Sequence, residues 1–375
     1  MDFSRFFNNK KSHPPDYLVT VVFALLVICG LAILASASSE LGIKQFGDSY
    51  YYLKHQIYFG LSLGLVGFFL TSKVYYGAYN NKIFCTSILV FALILMLLVF
   101  TPLGITAKGA TRWLGFGSIS FQPAEFLKIA VIFYLSSWLA YKDHRQKKIK
   151  EGLLPFFTLL LVVCGVLVLQ RSTSPAFMLI FVALVMYFVS GAKLKYLLGV
   201  FLVGVAAIAL VVTFTPYRSE RIFSFLNPEA DPGGSGYQLI QAKSAIRAGG
   251  VFGVGYGQSV IKLRLPEPAG DSIFAVIGEE VGFVGSVSLV FLFGLLVVRM
   301  YMLAARMSDP FGRLLLIGIA SSIGIQAFVN MAAMTGLVPL TGTPLPFISY
   351  GGTSLAVLMT TMGVAVNISK YSSES

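Results

Sequence analysis

Ten apolar stretches recur along this 375-residue chain, falling near 17–36, 54–71, 82–101, 123–141, 153–170, 175–190, 194–215, 284–303, 313–335 and 347–368. Each approaches the roughly 20 residues that cross a bilayer as a helix. Hydrocarbon offers no water to satisfy backbone groups, so segments of this kind must close their hydrogen bonds internally. The chain therefore reads as an all-α polytopic membrane protein of about ten transmembrane helices, one membrane domain over residues 1–375. Composition agrees, with 56% hydrophobic and 12% charged residues against about 25% charged in soluble domains. Cys29, Cys85 and Cys164 all lie inside apolar runs, a pattern of neither a disulfide framework nor a metal cluster.

The net charge of +12 is a topology signal rather than a nucleic-acid footprint. Sixteen Lys and Arg gather on one side, in the N-terminus, around Lys73 and Lys82, between Lys142 and Lys150, at Lys193 and Lys195, around Arg299, Arg306 and Arg313, and at Lys370. The short loops opposite hold Lys44, Lys108, Arg112 and Arg171. Cytoplasmic loops carry the basic excess, so both termini are expected to be cytoplasmic. The first stretch imitates a cleavable signal, with a basic start and Ala35-Ser36-Ala37. Its apolar run from Leu18 to Leu34 exceeds the usual signal core of about 7–15 residues, so a retained span is expected.

One outer segment, residues 216–283, is too long for a simple turn. Tyr237 to Ala248 can form a helix with Lys243 and Arg247 on one face, and Gly249-Gly250 stop it. Gly253, Gly255 and Gly257 then alternate, a Pro266–Asp271 turn follows, and Ser272 to Phe283 reads as helical again, running towards the eighth span. The glycine run lacks the βαβ setting of a dinucleotide site; flexible or closely packed backbone accounts for it better. A second outer loop, Pro102 to Gln122, carries Lys108, Arg112 and Trp113. No P-loop, zinc-protease motif or nucleophile elbow appears in the sequence.

Four of the chain's 16 Asp and Glu fall between Glu267 and Glu280: Glu267, Asp271, Glu279 and Glu280. Carboxylates near hydrocarbon are expensive and usually functional. Asp271 also suits an N-cap, Glu267 a turn, and Glu279/Glu280 a surface, so both readings stand on spacing alone. Arg218, Arg221, Lys243, Arg247, Lys262 and Arg264 are expected on the same side, beside Lys108 and Arg112. Glu125 and Lys128, three apart in the fourth stretch, read either as an ion pair or as the wall of a polar cavity. Pro344 to Ser354 enters the last span with two prolines and two glycines, broken geometry that suits a cavity wall or a tight helix crossing.

Taken together, these blocks make the chain resemble the SEDS (shape, elongation, division and sporulation) family of FtsW/RodA type, closer to the FtsW branch. Ala110 to Gly115 followed by Phe121 to Lys128 is similar to the family's "ARRW…FQPSEFxK". Asp231 to Gln238 resembles "DPxGxGYQ", Leu265 to Gly285 "LPEAHTDFIFAVIGEELGxxG", and Pro344 to Ser354 "LPFISYGGSS". The match runs over nearly the whole chain. Two departures stand out. Ala269-Gly270 and Ser272 replace the family's His-Thr and Phe around the aspartate, and Gln170 to Pro175 lacks the acid of "QPDxGT".

The resemblance implies a peptidoglycan glycosyltransferase that polymerises lipid II at the outer face of the membrane, beside a class B penicillin-binding protein (a transpeptidase) and other divisome or elongasome proteins. Asp271 matches the family's catalytic aspartate. An ordinary Asp, with pKa about 3.9, takes a sugar-hydroxyl proton only in a concerted step or with a raised pKa. The departing pyrophosphate needs cations: Arg112 foremost, then Lys108, Arg247 and Lys262, or a divalent ion, Mg or Mn. Glu125, Lys128, Glu267, Glu280 and Ser349 complete the expected substrate site. Two other classes stand beside this one, a lipid II flippase and a non-catalytic scaffold for a synthase. No nucleic-acid partner is expected.

Overall fold

A computed structural model describes residues 12–107, 110–116, 119–141, 145–213, 216–231 and 233–372. Asp16 opens the first helix, α1 (Tyr17–Phe46): its carboxylate accepts from Val19 N at 2.9 Å, the N-cap bond that satisfies an orphan donor. The same carboxylate pairs with Arg299 at 2.7 Å. Further along α1, Ser36 Oγ donates to Glu280 at 2.5 Å. The first stretch is therefore fastened to the bundle at its start and at Ser36.

The remaining helices follow the apolar stretches: α2 (Tyr51–Lys73), α3 (Lys82–Leu98), α4 (Pro123–Ala140), α5 (Ile149–Leu169), α6 (Thr173–Val189), α7 (Leu194–Thr213), α8 (Pro216–Leu226), α9 (Ser235–Gly249), α10 (Ile273–Ala305), α11 (Pro310–Thr335) and α12 (Gly352–Ser369). Among the described residues seven helices are long and apolar enough to cross a membrane, and three shorter apolar ones (α3, α6 and the start of α7) accompany them. The chain is a multi-pass membrane protein. α4 and α11 sit centrally, with 72% and 78% of their apolar windows buried, while α2 has 17% and faces outward.

Without a hydrophobic drive between helices in lipid, close approach depends on small residues. The most extensive packing joins α2 to α12. There Gly64 lies on Met359, Gly67 on Thr360 and Gly363 on Phe68. The first turns of α2 widen into a π-helical stretch, Gln56–Leu61, a feature frequent at functional sites. It buries Gln56, whose Oε1 accepts from Gly351 N at 2.9 Å.

The sequence reading foresaw no strands. The 102–122 loop instead folds into a three-stranded antiparallel sheet, β1 (Gly104–Ala107), β2 (Ala110–Phe116) and β3 (Ile119–Phe121), paired in the order β1-β2-β3. The all-α class holds for the membrane region, and this small sheet sits on it.

The glycine run is close-packed rather than loose. α10 breaks at Gly282, where φ is 66°, and the 249–255 backbone satisfies the groups the break exposes. Val254 N and Gly255 N donate to Glu279 O and Glu280 O at 2.9 and 3.1 Å, and Phe283 N donates to Gly250 O at 2.9 Å. A side chain at Gly249 or Gly253 would collide with the carbonyls of Gly278 or Glu280. The alternating glycines are the condition for this backbone-to-backbone contact.

Candidate active site

The acidic segment forms a compact loop ahead of α10. Gly270 N and Ser272 N both donate to Glu267 O, at 2.9 and 3.2 Å, with Glu267 itself at φ 51°. The residue in front of α10 is Ser272, and no side chain caps that helix. The capping reading of Asp271 is thereby corrected: Asp271 stands one residue ahead of the cap position. Ser272 accounts for one departure in the motif. Fully buried, its hydroxyl donates to Pro266 O at 2.7 Å and accepts from Gln238 Nε2 at 2.8 Å, a link from α9 that a Phe could not make. Gly270 accounts for another, since a Cβ there would lie 3.2 Å from Glu267 Oε2, so the carboxyl leans over the bare glycine.

Two further elements clamp the loop. From α11, Asn330 Nδ2 donates to Asp271 O and to Thr343 O, both at 2.7 Å. From the Pro344–Ser354 segment, Ser349 Oγ donates to Gly270 O at 2.7 Å and accepts from Leu345 N at 2.8 Å, while Tyr350 N donates to Ala269 O at 2.8 Å. The broken geometry of that segment thus serves to hold the Asp271 backbone. Tyr350 is held in turn by His55 of α2, with Oη 3.0 Å from Nδ1.

The Asp271 carboxylate is half-buried and points towards Gly342. A Cβ at Gly342 would sit 3.6 Å from Asp271 Oδ2 and 3.9 Å from both Arg221 Nη atoms. A base candidate and a guanidinium therefore border the same small space. Arg221 stands on α8 and donates from Nη1 to Leu340 O at 3.2 Å. A carboxylate facing the same space as a delocalised, always-charged guanidinium suits proton transfer beside a developing anion.

The other expected residues distribute differently. Arg112 donates to Arg171 O at 2.5 Å and towards Gln170 O at 3.5 Å, fastening β2 to the α5–α6 turn. That turn reaches the site indirectly, because Ser174 Oγ donates to Thr341 O at 2.6 Å. Lys262 is 7% exposed and its ammonium faces Glu280 at 3.5 Å, Gly257 O at 3.2 Å and Ser36 O at 3.3 Å. Lys262 and Glu280 thus form a buried pair inside the protein. Glu279 accepts from Ser259 Oγ, Val260 N and Ile261 N, so Glu279 and Glu280 are buried rather than surface charges. Arg247 is exposed on α9, and Glu267 is exposed in the acidic loop. Lys108 lies outside the described residues.

Glu125 and Lys128 make a buried pair at 3.0 Å. Ser354 Oγ completes Glu125 at 3.0 Å, and Gln326 completes Lys128 at 2.7 Å. Gln326 then donates to Pro344 O at 3.0 Å, so this pair buttresses the segment that clamps Asp271. Sequence reasoning placed Arg221 among the outer-side cations without choosing it for the site, and passed over Gln238, Gln326 and Asn330. Gln326 and Asn330 carried a readable signal, two amides four apart in an apolar helix, which place both on one face. Among the described residues no group of three His, Cys, Asp or Glu could hold a metal by itself.

A family model described as a cell cycle protein, FtsW/RodA/SpoVE, matches residues 16–374. A probable peptidoglycan glycosyltransferase FtsW of Trichlorobacter lovleyi is 39% identical over 356 residues, covering 94% of this chain and 93% of its own length. Stage V sporulation protein E of Bacillus subtilis is 35% identical, covering 96% and 99%. A solved chain from work on a peptidoglycan synthase complex that coordinates polymerization and crosslinking superposes with TM-score 0.78 at 30% identity, covering 95% of this chain and 97% of that one. Thermus thermophilus rod shape determining protein RodA gives TM-score 0.70 at 27% identity, covering 96% and 98%. The chain belongs to the FtsW/RodA/SpoVE family.

Proposed function

We propose that this protein is a peptidoglycan glycosyltransferase that extends glycan strands from lipid II at the outer face of the bacterial plasma membrane. The observation that carries the reading is the Asp271 carboxylate and Arg221 guanidinium bordering one space at Gly342. Asp271 lies ahead of a membrane helix, and its relatives include chains named probable peptidoglycan glycosyltransferase. Sixteen Lys and Arg on the opposite side support cytoplasmic termini.

In the proposed reaction an acceptor sugar hydroxyl attacks the anomeric carbon of a polyprenyl-pyrophosphate donor. Its proton passes to Asp271, the new glycosidic bond forms with inversion, and the bond to the pyrophosphate oxygen breaks. Polyprenyl pyrophosphate departs carrying the charge, which Arg221 is placed to meet; this cation takes the leading role expected of Arg112, whose donors face the carbonyls of the α5–α6 turn. A divalent ion such as Mg or Mn, if bound, would add charge neutralisation. Mg usually binds through one or two carboxylates plus substrate phosphates, and Asp271 with Glu267 fits that donor set. Ser349, Asn330, Glu125 and Lys128 act through the loop they hold.

The partner proposed is a class B penicillin-binding protein, because a similar chain is found in a peptidoglycan synthase complex. A family model described as a cell cycle protein and a relative named for sporulation favour a septal role over elongation. The test is polymerisation of labelled lipid II by purified protein with its partner. Wild type should yield glycan polymer and Asp271→Asn should lose about 10²–10⁴-fold while keeping its thermal stability. Normal polymer from Asp271→Asn would remove the base, and none from wild type would return the function to a flippase or scaffold.

A further inference from the structure

A second cavity lies at the end of the bundle opposite Asp271, between α3, α4 and the start of α5. Its volume is about 440 Å³, within the range of roughly 300–1,000 Å³ typical of small-ligand sites. Lys82, Tyr134, Ser137, Trp138, Tyr141 and Arg145 line it. None of these residues enters the proposed reaction.

The chemistry of the wall is that of an anion site at a membrane surface. Arg145 is half-buried with its guanidinium carbon 5.3 Å from the Trp138 ring centroid, a cation–π contact that fixes the charge in place. Lys82 opens α3, where the helix N-terminus adds partial positive charge. Among the described residues the one acid of the lining, Glu151, pairs with Lys148 at 2.8 Å, so its charge is already met. Ser137 is 8% exposed, with its hydroxyl on Asn80 Oδ1 at 3.2 Å. Tyrosine and tryptophan beside two cations are the residues that settle at headgroup depth.

The surroundings decide between a lipid and a soluble anion. Ile83, Phe84 and Leu154 on the flanking helices are 77%, 39% and 57% exposed, apolar surface on which acyl chains can lie. We propose that this cavity binds the phosphate headgroup of an anionic phospholipid, with Lys82 and Arg145 on the phosphate and the chains along α3 and α5. In the orientation proposed above it opens to the cytoplasmic leaflet, where anionic lipids are enriched. Basic pockets between transmembrane helices on that side suit such headgroups.

The test uses full-length protein, stripped of lipid in detergent and offered phosphatidylglycerol and phosphatidylcholine of matched chains, with retained lipid read by native mass spectrometry. Wild type should retain phosphatidylglycerol preferentially. Each cation near an anionic surface contributes about a fivefold factor, so Lys82→Gln should weaken retention about fivefold and Lys82→Gln/Arg145→Gln roughly 25-fold. Equal retention of the two lipids by wild type, or unchanged retention by the double variant, overturns the site. Displacement by inorganic phosphate or glycerol phosphate would make it a free-phosphate pocket and overturn the lipid assignment. Displacement by a soluble acidic peptide would do the same in favour of a protein partner. Arg145 also packs on Trp138, so exposed Lys82 supplies the variant that remains decisive if the double variant fails to fold.

Discussion

Asp271 and Arg221 border one space above Gly342, with Oδ2 3.6 Å and both Nη atoms 3.9 Å from the position a Cβ would take. Two restraints produce this convergence. Asn330 ties Asp271 O to Thr343 O, and Arg221 ties α8 to Leu340 O. Gly342 adopts φ 65°, a backbone conformation that other residues reach only with strain, so the space stays open.

Arg221→Gln should therefore lower lipid II polymerisation by about 10²–10³-fold, the range for removing one preorganised partner of a developing anion. Thermal stability should change little, since Arg221 is only half-buried. Arg221→Lys should recover part of the loss by restoring charge without the planar fork. Turnover at the wild-type rate in Arg221→Gln would return the leading role to Arg112.

Much of this architecture is legible in the sequence, and the illegible part has physical reasons. Apolar length announces the membrane helices, and Tyr237 to Ala248 with its glycine stop announces α9. Asp271 is reached through the "LPE…IFAVIGEE" frame. The sheet at Gly104–Phe121 is hidden because its strands are short and cut by glycines. Arg221 is hidden because what brings it to Asp271 is the uncharged 340–343 segment, whose path depends on Asn330. Lys262 and Glu280 looked like substrate groups since pairing across the fold cannot be read from spacing.

Lys262 and Glu280 have side chains 6% and 4% exposed, and removing one partner of a buried pair typically costs about 3–5 kcal/mol. Lys262→Met should thus lower the melting temperature by several degrees. Lys262→Met/Glu280→Gln should recover much of it, with the coupling read from a double-mutant cycle. A double variant that is stable yet inactive in polymerisation would show that Lys262 meets substrate after all.

At the break in α10, Gly253→Ala should destabilise severely. Gly253 has φ 83° and an added Cβ would collide with Glu280 O. Strain and displaced backbone together should exceed about 2 kcal/mol. Gly257→Ala is the control, with φ 78° but open space around it, so it should lose only about 1–2 kcal/mol. Equal melting shifts for the two would remove the packing argument for the glycine run.

Asp231 supplies a pH dependence outside the spans. Hydrogen bonds from Gly236 N at 3.1 Å and Ser224 Oγ at 2.8 Å hold its carboxyl below the ordinary aspartate value, the backbone bond being the larger cause. A depressed folded-state pKa means the contribution is fully present above the ordinary value, about 3.9, and lost as pH falls through the lower folded one. Proteolysis between α8 and α9 should therefore be slow at neutral pH and rise only below that range. Asp231→Asn should be cut faster at neutral pH and lose that acid-dependent component. Unchanged cleavage of Asp231→Asn across the scan would show that this carboxylate does not anchor α8 to α9.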